Sequence, residues 1–185
     1  YELAHSDSAK IWASIRYAAL IEKLSPDSAY QILNAARMIA EPLADNDVGI
    51  RNLYGTTLMR LVVFEVRYRN NQSLAEKYLS EAREVFISTG NHKMLAGCFM
   101  TLGIMRFYGG DHDEAMRYHG LSLKNYTLAN DAIGIAGCWN NIGLVHSQAG
   151  RIDDAIEAYR KSIAINEVLG FELKVAEGYN NVGAL

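Results

Sequence analysis

The residues with the widest chemical repertoire are five histidines, two cysteines and a few paired acids. His5, His92, His112, His119 and His146 could bind a metal or carry a proton. No pair has metal-ligand spacing with a third donor beside it, so the pattern predicts no metal and no cofactor. Cys98 and Cys138 could in principle bridge. However, they hold equivalent slots 40 residues apart, and stacked equivalents of a helical repeat lie beyond the ~7 Å reach of a disulfide. Small buried residues is the better reading. Asp113–Glu114 and Asp153–Asp154 stand where helices are predicted to start, and negative charge is favourable there without any catalytic task. Gly109–Gly110 lacks the Gly-Lys-Ser/Thr of a phosphate loop, and no nucleophile-elbow sequence occurs. The chemistry that remains is recognition: amides that donate and accept together, and arginines that can grip an acid. The chain is therefore expected to bind, and not to be an enzyme.

Composition agrees. Half of the 185 residues are hydrophobic and 21% are charged, enough for a packed core and too apolar for disorder. The net charge of −3 gives no basic surface for nucleic acid. Two prolines beside many Ala, Leu and Ile fit helices. The longest apolar stretches, such as Leu61–Phe64, are too short to cross a bilayer. Two cysteines suit a reducing compartment, so the expected location is cytoplasmic. The chain opens on Tyr1 and is read as a fragment of a longer protein.

The elements that position these residues are repeats. Cys98 and Cys138, Gly103, Gly143 and Gly183, Gly110 and Gly150, and Ala75, Ala115 and Ala155 all recur at a spacing of 40. Ala29, Ala36 and Arg37 match Ala75, Ala82 and Arg83 at 46, so the second unit carries about six extra residues, placed around Phe64 to Gln72. Each unit reads as two helices. Gly109–Gly110–Asp111 and Ala149–Gly150–Arg151 break the chain and restart it, and Ser25–Pro26 is the earliest version, with serine as cap and proline at the first helical position. Gly90, Asn130 and Gly170 offer the stops of the second helices. Gly103 with Ala115, and Gly143 with Ala155, are small residues 12 apart, expected to face each other across a helix pair.

These residues resemble the tetratricopeptide repeat (TPR), whose pattern is Trp-x2-Leu-Gly-x2-Tyr, then Ala-x3-Phe, then Pro. The fourth unit offers Trp139, Ile142, Gly143, His146, Ala155 and Tyr159; the third offers Phe99, Leu102, Gly103, Arg106, Ala115 and His119. The second keeps Ala75, Leu79 and Ala82 with Val63 in the glycine slot. The 40-residue period and the missing terminal proline, with Glu167 in its slot, are similar to a long-repeat subclass found in bacterial sensor and regulator proteins. The resemblance implies an all-α, right-handed α-solenoid of about four and a half repeats over residues 1–185, forming a single domain with the last repeat truncated. It implies a scaffold that binds a peptide or partner domain in its concave groove, as the regulatory segment of a larger bacterial signalling protein. The alternative is a self-association module, with a homodimer formed through the open C-terminal end.

Counting from the glycine slot, the groove should receive Arg60, Phe64, Arg67 and Tyr68 from unit two and Met100, Ile104, Phe107 and Tyr108 from unit three. Unit four should give Asn140, Leu144, Ser147 and Gln148, and unit five Asn180 and Ala184. The binding set is thus Asn140, Asn180, Arg60, Phe64, Arg67, Ile104, Phe107, Leu144 and Gln148. In the family, asparagines in this part of the first helix hold a target peptide, and Asn140 and Asn180 match that slot. Each is open to a plainer reading, as a bond to a neighbouring helix. Asn141 and Asn181 are expected to turn toward the adjacent helix. Arg60 and Arg67 would grip an acidic partner group or pair with a local glutamate such as Glu65.

Overall fold

A computed structural model describes residues 2–185, with side chains from residue 7 onward, so His5 lies outside the described side chains. Among the described residues the chain forms nine α-helices, one short 3-10 turn and no strand. The helices are α1 (Glu2–Ile21), α2 (Pro26–Ala40), α3 (Val48–Arg67), α4 (Gln72–Ser88), α5 (His92–Tyr108), α6 (His112–Leu128), α7 (Ala132–Gln148), α8 (Ile152–Val168) and α9 (Glu172–Gly183). The chain has the all-α architecture of a helical repeat of the solenoid class.

Local sequence explains the rhythm. Asn70, Gly90, Gly110, Asn130, Gly150 and Gly170 all hold a left-handed backbone, with φ between 50° and 82°. They fall 20 residues apart, and only Gly and Asn adopt this conformation readily. Each ends one helix. The residue after it starts the next, often with a side-chain cap. Asn71 accepts from the Leu74 amide at 3.2 Å, Asp111 from Glu114 at 3.1 Å and Asp131 from Gly134 at 3.0 Å. Such caps contribute about 1 kcal/mol each. The repeat of 40 is thus two 17-residue helices and two three-residue turns. Ser25 departs from expectation: its hydroxyl donates to Ser28 Oγ at 2.8 Å and caps no backbone amide, although Pro26 does open α2.

Contacts cluster the chain into two compact units, residues 1–91 and 92–185. In the first, α1 packs on α2, α3 on α4, and α2 and α1 both meet α3. In the second, each helix packs on the next, and α5 and α7 also touch. Ala29, Ala75, Ala115 and Ala155 are all fully buried on the second helices.

Two details correct the sequence reading. The nearest atoms to the glycine slots belong to the aromatic position 16 residues on, not to the alanine 12 on. A Cβ on Gly103 would lie 2.5 Å from His119 Cε1, and one on Gly143 2.7 Å from Tyr159 Cδ1. The slot in unit two is also shifted. The buried set Leu95, Ala96, Cys98, Leu102 and Gly103 of α5 is matched in spacing by Tyr54, Gly55, Thr57, Leu61 and Val62 of α3. Val62, 1% exposed, therefore holds the slot, and Val63 is 36% exposed. The cause is one additional residue in the turn after α3. There the Asn71 amide donates back to Glu65, six residues earlier, whereas Asp111 reaches back five, to Arg106. Part of the extra length of unit two lies in α3, at 20 residues against 17 for α5. The rest lies in this turn and in the 3-10 stretch Glu41–Leu43 before α3.

Candidate functional site

Within residues 1–91, Arg60 and Arg67 do converge on an acid, and the acid belongs to this chain. Glu22, buried in the turn after α1, accepts from Arg60 at 2.8 Å and lies 3.5 Å from Arg67. Glu65, the local partner considered from sequence, is buried and accepts from the Tyr30 hydroxyl at 2.7 Å. The Arg69 guanidinium lies 3.5 Å over the Tyr30 ring. Phe64 is fully buried, its ring 6.1 Å from Tyr30 and 5.2 Å from Tyr68. The one-residue shift explains this: it turns Phe64 and Glu65 inward and leaves Val63 and Val66 exposed.

Within residues 92–185 the first helices α5, α7 and α9 present a shared face with two depressions. The smaller, about 120 Å³, is lined by Ile104, Phe107, Tyr108, His119, Asn141 and Leu144. The larger, about 410 Å³, lies toward the start of α7 and takes Ile104, Gly137, Asn140, Asn141, Asn166 and Lys174 among its walls. Of the residues singled out from sequence, Ile104, Phe107 and Leu144 thus meet in one depression, and Ile104 and Asn140 in the other. Gln148 and Asn180 are exposed and line neither.

The amides are organised differently from a simple ladder. Asn140 Oδ1 accepts from Asn181 Nδ2 at 3.0 Å, joining α7 to α9. The plainer reading therefore holds for the carbonyl end of Asn140, through Asn181 and not Asn180. Asn141, half-buried, lines both depressions, and its side chain has no hydrogen-bond partner among the described residues. A half-buried amide in that state has both a donor and an acceptor to offer.

The buried titratable groups of this unit are uncharged at neutral pH. His119 is buried, with Nδ1 unpartnered, and burial pushes its pKa down to about 4, so it is a neutral ring at neutral pH. The Cys138 thiol donates to Ser122 Oγ at 3.2 Å, which in turn donates to the Ala96 carbonyl at 2.8 Å. Burial raises that thiol to about 11, and the Tyr126 hydroxyl to about 12. Neither is a nucleophile at neutral pH. Among the described residues, no three His, Cys, Asp or Glu side chains gather as metal ligands, and no helix is long and apolar enough to cross a membrane.

Sequence reasoning missed Gly137, Asn141, Asn166, Lys174 and Glu177 as groove residues. Two signals were available. Gly137 repeats Gly97 on the groove side of the first helix, and Asn166 breaks the aromatic series Phe86, Tyr126 at the same spacing of 40.

The comparisons agree with this geometry. A family model described as tetratricopeptide repeat matches residues 99–168. No curated protein matches the chain. Among solved structures, BtubC (BKLC) from P. vanneervenii is similar with a TM-score of 0.78 at 16% identity, over 97% of this chain and 80% of that one. A Signal Transduction ATPase with Numerous Domains (STAND) protein with a tetratricopeptide repeat sensor, from Pyrococcus horikoshii, has a TM-score of 0.75 at 14% identity over 95% of this chain. This chain spans only 27% of that protein's length. At such identities the likeness speaks for the fold. Paired helices and glycine under an aromatic accord with the tetratricopeptide repeat match, which covers residues 99–168 of this chain.

Proposed function

We propose that the chain is a protein-interaction module that holds an extended peptide segment of a partner along the face of α5, α7 and α9, and that it serves as the sensing or regulatory part of a larger signalling protein. The observation that carries this is Asn141, a half-buried amide shared by both depressions and without a hydrogen-bond partner among the described residues. Beside it, the Nδ2 donors of Asn140 remain uncommitted while its carbonyl is held by Asn181. An extended backbone offers alternating donors and acceptors that such amides match. The sensor role is favoured by the P. horikoshii protein, described as carrying a tetratricopeptide repeat sensor. Apolar walls at Ile104, Phe107 and Leu144 would supply area, and the amides register.

The test is binding of a peptide selected from a random displayed library. Asn141→Ala should weaken it about tenfold, the cost of one or two lost hydrogen bonds, with helicity unchanged. Equal affinity for wild type and N141A contradicts the reading.

A further inference from the structure

The repeat itself shows what one part of the groove is shaped to hold. In α6, Tyr126 lies between α5 and α7. Its hydroxyl is 3.7 Å from where a Cβ on Gly97 would stand, and its ring only 2.3–2.4 Å from one on Gly134. Forty residues earlier, Phe86 is buried in the same slot of α4. Forty residues later the slot holds Asn166. That side chain is buried and folded back on its own helix, donating to the Ser162 carbonyl at 3.0 Å and Oγ at 3.4 Å. Gly137 keeps the place of Gly97, and the nearest atom to a Cβ there would be Met100 Cε at 3.4 Å, the end of a flexible side chain. Lys174 stands in the place of Gly134, but it is exposed and bonded to Glu177 at 2.6 Å. The volume that an aromatic ring fills in one repeat is therefore open in the next, and it forms part of the depression of about 410 Å³ lined by Gly137, Ser162, Asn166 and Lys174.

We infer that this space receives an aromatic side chain, tyrosine foremost, carried by the bound segment: the chain supplies the ring itself at Tyr126, and the partner supplies it beside Asn166. The inference rests on the groove reading above and names what that groove selects. Ile133 and Phe171 give apolar walls for a ring. Asn141 and Asn166 give amide groups for a hydroxyl. Lys174 and Glu177 balance each other, so a charged guest gains no net attraction.

The experiment titrates the 15N-labelled chain with N-acetyl-tyrosinamide, N-acetyl-phenylalaninamide and N-acetyl-lysinamide. Saturable amide shifts at Gly137, Asn166 and Lys174 are expected, strongest with the tyrosine compound and absent with the lysine one. Asn166→Tyr fills the slot from within and should weaken the effect at least tenfold. Gly137→Leu closes it from the opposite wall and serves if N166Y does not fold. No shifts at these residues with the tyrosine compound, or shifts unchanged in the folded variant, overturn the inference. The two readings separate cleanly. A selected peptide weakened by N141A but indifferent to N166Y sustains the groove and overturns the aromatic slot. One indifferent to N141A overturns the groove whatever N166Y does.

Discussion

Asn181 Nδ2 donates to Asn140 Oδ1 at 3.0 Å, so the two asparagine pairs of the repeat engage each other diagonally, the second of one with the first of the other. The bond fixes the orientation of the Asn140 amide and leaves only its nitrogen for the groove. Asn140→Asp keeps an acceptor for Asn181 and removes the donors. Its thermal unfolding should stay near wild type while capture of a selected peptide weakens. Asn181→Ala should do the reverse first: a loss of about 1 kcal/mol in urea unfolding, the usual worth of one such bond.

Glycine under an aromatic is a packing requirement, and it separates two otherwise alike substitutions. Gly143→Ala would place a Cβ 2.7 Å from the Tyr159 ring, and should cost about 1–3 kcal/mol. Gly120→Ala, inside α6 with no neighbour within 4 Å, should be neutral or stabilising by up to about 1 kcal/mol from helix propensity. Denaturant midpoints of the two variants check the contrast.

His119 gives the fold a pH dependence. Its folded pKa is about 4 against an ordinary 6.5, because burial disfavours the imidazolium. The unfolded chain therefore takes up the proton first, and stability falls as pH drops from about 6.5 toward 4, then levels off below it. The loss is on the order of 3 kcal/mol. His119→Tyr, which copies Tyr159 over its glycine, should fold and flatten this slope. A slope unchanged between pH 6.5 and 4 in H119Y would assign it elsewhere.

The arginine cluster ranks its own members. Glu22→Ala leaves two cations without their acid and should cost about 1–3 kcal/mol, less than a fully buried pair because both arginines keep some solvent. Arg60→Ala should cost less. Arg67→Ala, exposed and 3.5 Å from Glu22, should change stability by under about 0.5 kcal/mol. Chemical unfolding of the three variants gives the order.

What could be read in the chain before its structure was whatever is local. A left-handed Gly or Asn every 20 residues, an acid or amide after it, and a small residue at a fixed slot are written in consecutive positions. Helix pairing follows from such signals alone. Extra length around Phe64 to Gln72 was legible, but its effect on register was not, because Ala75, Leu79 and Ala82 keep register on the far side of the turn and Val62 and Val63 are chemically alike. That slip moved Phe64 from the expected groove to the core. The partner of Arg60 was equally out of reach, 38 residues away on another helix pair, as was the partner of Asn140, 41 residues away. The groove was legible as a face, through Ile104, Phe107, Leu144 and Asn140. Its depth was not, since depth depends on which second-helix side chain is too short to fill it.

The most direct measurement of the central claim is amide-shift mapping of the 15N-labelled chain with a saturating selected peptide. The account predicts a continuous footprint through Met100 and Ile104 on α5, Gly137 to Asn141 on α7 and Lys174 to Glu177 on α9. A footprint confined to exposed positions of α6 and α8, such as Arg117, Lys124 and Arg160, would contradict it.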